Sequence, residues 1–150
     1  MSSWDKFRRL PQEEKATLLA AFLLLPLVRA GLAALGLKRV ESLLSRGARA
    51  RTRPEPEQTI FLARRTARLV AVAARFAGGS CLARSVVLCL LLERRGVPAQ
   101  LRIGVRKQGD EFQAHAWVEA VGITLNEAPD IGLRYAAFER DFALARGNQR

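Results

Sequence analysis

The stretch GGSCLARSVVLCLLLERRGVPAQLRIGVRKQGDEFQAHAWVEAVGITLNE, residues 78–127, decides the fold. Gly78-Gly79-Ser80 make a flexible turn, and the apolar run that follows predicts a helix from Cys81 to Arg95, stopped at Gly96. Val97-Pro98 begins an extended path, and the period then changes. LRIGV (101–105) alternates as a strand, RKQGDE (106–111) reads as a turn, and FQAHAWVEA (112–120) alternates again. Val121-Gly122 predicts a tight turn into ITLNE (123–127), a further strand. Short strands joined by hairpins form an antiparallel sheet. The class is therefore α+β: a helix bearing Cys81 packs on a small antiparallel sheet of about three strands bearing His115.

This placement has chemical content. A thiol at the first position of a helix meets the positive end of the macrodipole and unpaired backbone N–H groups, which favour the thiolate and stabilise an oxyanion. A histidine on a separate strand completes such a nucleophile. The bland alternatives are a small core thiol and a structural histidine, and Cys89, inside VVLCLLL, fits the first of these. Alternation puts His115, Trp117 and Glu119 on one face of their strand, where Trp117 is expected as a buried aromatic under the sheet rather than as a wall of the cleft. The returning strand brings Asn126 and Glu127 beside His115, with Asp130 just beyond. A one-residue slip in register swaps faces, so spacing alone does not separate the three.

Upstream, Pro11 followed by Gln12, Glu13 and Glu14 suits the first turn of a helix. The apolar run from Ala16 to Val28 contains Pro26 and ends at Arg29, short of the roughly 20 residues a membrane span needs. It predicts a helix interrupted near Pro26 that resumes to about Ser45. RGARARTRPEPEQ (46–58) reads as a linker, and a helix follows from about Glu57 to Phe76 with Ile60, Ala63, Ala67, Val70 and Ala74 on one stripe. After Ala128-Pro129-Asp130, IGLRYAAFERDFALA predicts a short helix. This gives a helical segment and linker over 1–53 and a core over 54–150, expected as one compact unit.

The hydrophobic share of 49% excludes a disordered chain. Cys81 and Cys89 lie roughly 12 Å apart along one helix, too far for a disulfide, so the expectation is free thiols in a cytoplasmic protein. One histidine and two cysteines at this spacing exclude a zinc site. No phosphate-binding glycine loop is present, and no cofactor is expected. The net charge of +11 is concentrated before residue 109 and suits nucleic acid, an acidic peptide or partner protein, or anionic lipid, or simply a solvated arginine-rich face. The aromatics fall at apolar-face spacing rather than among the basic residues, which argues against nucleic acid.

In CLARSVVLCLLLERRGVPAQLRIGV, then AHAWVE, then LNEAPDIGLRYAAF, the chain resembles the leader peptidases of lasso-peptide biosynthesis, which are transglutaminase-like maturation proteins. The leading WDKFRRLPQEEKATLLAAFLLLPLVRAGL also resembles the first helices of that family. The resemblance implies a transglutaminase-like, papain-like cysteine protease that removes the leader from a ribosomally made precursor. Carried over by residue, it makes Cys81 the nucleophile, His115 the general base and Glu127 the third member, where the family has an aspartate. It also implies a stand-alone peptidase whose partners are the precursor peptide, a separate leader-recognition protein and the lasso cyclase; aromatic spacing argues against nucleic acid and the short apolar run against a membrane. Two other readings remain: a non-catalytic basic binding module, and an acyltransferase or amidase using the same triad.

Overall fold

The computed structural model describes residues 3–47 and 53–138. A short helix, α1 (Ser3–Arg8), leads into α2 (Gln12–Leu35) and α3 (Leu37–Gly47). The interruption expected at Pro26 does not occur; α2 runs through it and the break falls at Gly36, which adopts φ +76°. Proline removes one backbone donor, but Pro26 is on the exposed side of α2, and burial of Ala21, Leu25 and Val28 holds the helix on both sides of it. The helix therefore outlasts the apolar run that ends at Val28. By length and composition it is long and apolar enough to cross a membrane. Its buried stripe, Thr17, Ala21, Leu25 and Val28, lies at helical spacing, while Leu19, Phe22, Leu23 and Leu27 are exposed on the other side.

The next helix, α4 (Pro56–Ala77), starts with Pro56 in its first turn, where a missing N–H is harmless. Ala63, Ala67, Val70 and Ala74 are buried as the stripe predicts, but Ile60 is exposed. Small side chains along that stripe let α2 approach closely, and a bidentate pair from Arg65 to Glu14 (2.7 and 2.6 Å) ties the two helices at one end. Of the expected linker, residues 48–52 lie outside the described residues.

The central element is α5 (Cys81–Arg94), within a residue of the predicted bounds. Val86, Val87, Leu88, Leu90 and Leu92 are all essentially inaccessible, so from Ser85 to Leu92 the helix is enclosed, by α2 and α4 across one surface and the sheet across the other. Each such side chain contributes about 1.5–3 kcal/mol of burial. This fixes α5, and with it Cys81, rigidly against the sheet.

The sheet is antiparallel. Strand β1 (Ala99–Gln108) pairs with β2 (Glu111–Ala120) from Ala99↔Ala120 to Gln108↔Glu111, so the hairpin turn is only Gly109-Asp110 and both strands extend into the stretch expected as a turn. Ala99 and Leu101 of β1 and Ala116, Val118 and Ala120 of β2 join the α5 core. Beyond the Val121-Gly122 turn, β3 is just Ile123–Thr124, so Leu125, Asn126 and Glu127 are not strand as expected. A one-turn helix, α6 (Ile131–Arg134), and a strand, β4 (Ala136–Ala137), follow. The latter pairs with β1 at Gly104 and makes a fourth strand in the order β3-β2-β1-β4. The helix expected over the tail thus ends at Arg134, and its continuation past Phe138 lies outside the described residues. On the sheet face away from α5, Trp117 is fully buried, and its ring crosses Gly104. A Cβ at position 104 would stand 2.9 Å from Trp117 Cη2 and 2.9 Å from Tyr135 Cβ, so only glycine fits there.

Candidate active site

Cys81 opens α5 because the sequence before it provides both a turn and a cap. Gly78 (φ +70°) and Gly79 (φ +132°) take backbone conformations that side chains resist. Ser80 is the N-cap: its hydroxyl accepts from the Ala83 N–H at 3.2 Å, and its carbonyl accepts from the Arg84 N–H at 3.0 Å. That leaves the N–H groups of Cys81 and Leu82 without an intrahelical acceptor, beside the thiol. Cys81 is partly accessible and Cys89 is buried; both are free. Burial pushes the Cys89 thiol far above its ordinary range, and the carboxylates of Glu93 and Glu41 add to this, so Cys89 stays a protonated core thiol.

His115 lies on β2, partly buried, with its ring 5.4 Å from that of Tyr135. Its Nε2 is 2.8 Å from Oε1 of Glu127. A carboxylate only accepts, so Nε2–H donates to it, and in the neutral ring this tautomer leaves the lone pair on Nδ1. Sequence left Asn126, Glu127 and Asp130 open as the residue beside His115, and the geometry separates them. Glu127 meets the imidazole. Asp130 pairs with Arg134 at 3.6 Å. Asn126 is committed elsewhere: its Oδ1 accepts from the Val118 N–H at 2.8 Å, and its Nδ2 donates to the Ser85 hydroxyl at 3.0 Å. Ser85, fully buried, donates in turn to the Ala116 carbonyl at 3.1 Å.

This latch explains why β3 ends early. Leu125 N–H still bonds the Val118 carbonyl at 3.0 Å, but the partner of the Val118 N–H is a side chain rather than backbone. The chain leaves the sheet at that point, and Glu127 comes over His115. Ser85 stands one turn after Cys81, so the same network joins the cysteine helix, the histidine strand and the loop carrying the carboxylate.

Cys81, His115 and Glu127 line one cavity of about 640 Å³, closed by α4 through Arg64, Ala67 and Arg68 and by Arg84 of α5. Trp117 sits under the sheet, not in the cavity; its Nε1–H donates to Glu119 at 3.0 Å. Among the described residues, no group of three or more histidine, cysteine, aspartate or glutamate side chains is placed to hold a metal ion. Spacing along the chain does not point to the Ser85–Asn126 latch or to Arg64 and Arg68 on the cavity wall. A polar Ser85 leading into the apolar run 86–92 is the one signal in the sequence for the former.

A family model described as the transglutaminase-like superfamily matches residues 23–140. The chain is also similar to the microcin J25-processing protein McjB of Escherichia coli, 43% identical over 51 residues, which is 34% of this chain and 24% of that protein. The match therefore spans about a quarter of the relative's length. No solved structure matches. The family model covers most of the chain, from within α2 to beyond β4, and the chain belongs to the transglutaminase-like superfamily.

Proposed function

We propose that this protein is a cysteine peptidase that removes the leader from a ribosomally made lasso-peptide precursor, with Cys81 as nucleophile, His115 as general base and acid, and Glu127 as the group that orients the imidazole. The observation that carries the reading is the shared cavity: an accessible thiol at a helix start and a histidine whose far nitrogen is held by a carboxylate at 2.8 Å. Similarity to a protein named for processing a microcin, over part of its length, supports the choice of substrate.

In this mechanism Nδ1 of His115 takes the thiol proton as Sγ attacks the scissile carbonyl. The Cys81 N–H donates to the oxyanion. Collapse expels the amine of the core peptide, which receives that proton from His115, and leaves a leader thioester on Cys81. Water, deprotonated by His115, then hydrolyses the thioester to a leader carboxylate and restores the thiol. The partners are the precursor, a separate leader-recognition protein and the cyclase that receives the freed core, all in the cytoplasm.

A precursor peptide incubated with the full chain and its recognition protein in ¹⁸O-water tests this. Cleavage at one bond, with ¹⁸O in the new leader carboxylate, is expected. Transfer of the leader to an added amine in preference to water would favour the acyltransferase reading, and no turnover by folded protein would favour a binding module.

A further inference from the structure

We propose that Arg64, Arg68 and Arg84 form a subsite for an acidic side chain of the peptide substrate, close to the bond that is cut. This rests on the peptidase reading and names a substrate feature that it leaves open. The three arginines, from two helices, line the cavity that holds Cys81 and His115. Arg64 and Arg68 are four apart on α4 and so share a face. Arg84 is three residues after Cys81, and its Nε donates to the Gly79 carbonyl at 3.1 Å, which holds the group beside the turn that positions the thiol.

Charge decides what this wall binds. The lone carboxylate among the described lining residues is Glu127, engaged with His115. Outside the cavity Arg65 pairs with Glu14, Arg102 with Glu119, and Arg134 with Asp130. Among the described residues neither Arg64 nor Arg68 has a carboxylate partner. Guanidinium groups gathered at one cleft repel one another, and a carboxylate entering between them relieves that repulsion while taking paired N–H donors. A neutral side chain gains neither. An Asp or Glu of the bound peptide is the matching chemistry.

The test uses the full chain carrying Cys81→Ala, which binds without turnover, and decapeptide libraries in which Asp or Asn is fixed in turn at each position. Enrichment of Asp over Asn by about 5-fold or more at one or two positions is expected. That preference should vanish in Arg64→Gln/Arg68→Gln and persist in Arg75→Gln, an exposed arginine of the same helix that does not line this cavity. Equal recovery of both libraries would overturn the proposal, as would a preference that survives Arg64→Gln/Arg68→Gln or is lost equally in Arg75→Gln. Because no cleavage is required, failure here is distinct from failure of the peptidase reading, which wild-type turnover tests separately.

Discussion

Replacing Asn126 with alanine should destabilise the fold well beyond the usual cost of a loop substitution. The amide bridges Val118 N–H and Ser85 Oγ, and both residues are inaccessible to water. Alanine strands the Val118 donor and removes one of the two partners of Ser85, and each buried group left unsatisfied costs about 1–3 kcal/mol. The expected loss is about 2–4 kcal/mol. For a chain of this size that lowers Tm by roughly 2–4 °C per kcal/mol. Ser85→Ala removes the same Asn126–Ser85 bond and the bond to Ala116, so the two substitutions share an interaction. The double variant should then fall short of the sum by about 1 kcal/mol. Urea unfolding followed by circular dichroism measures all four species. A loss under about 0.5 kcal/mol for Asn126→Ala, or strict additivity, would refute the latch.

Glu127→Ala should leave stability near wild type but lower kcat by about 10²–10⁴-fold, since an imidazole without its carboxylate loses both tautomer and orientation; a rate within a few-fold of wild type would remove Glu127 from the mechanism. Gly104→Ala forces a Cβ into the Trp117 ring and Tyr135, and thermal unfolding should register about 1–3 kcal/mol of overpacking. The Arg65 guanidinium bonded to Glu14 holds its carboxyl below the ordinary 4.5. The stabilisation from Glu14 is therefore complete above that value and lost as pH falls through the lowered one, so Glu14→Gln should flatten the acid limb of a stability–pH profile and cost about 0.5–1 kcal/mol at neutral pH.

Much of this architecture was legible because period and punctuation agree. The Gly78-Gly79-Ser80 turn and Gly96 bound α5, and alternation through Ala114–Val118 gives both the strand and the face of His115. Cys81 and His115 could be singled out because each sits at an element position with chemical consequence. Glu127 could not be separated from Asn126 and Asp130 by spacing, because the decisive bond is a side chain standing in for a strand. The fourth strand escaped notice because two residues, Ala136 and Ala137, carry no period at all; they pair with β1 through tertiary context. At Pro26 a local rule lost to packing: burial on both sides outweighs one missing hydrogen bond.

The central claim is that Cys81, not Cys89, is the nucleophile of peptide cleavage. Mass spectrometry of a precursor peptide, incubated with its recognition protein and wild type, Cys81→Ala or Cys89→Ala, tests it most directly. The account predicts one cleaved bond with wild type and with Cys89→Ala, and intact precursor with folded Cys81→Ala. Equal cleavage by Cys81→Ala would contradict it.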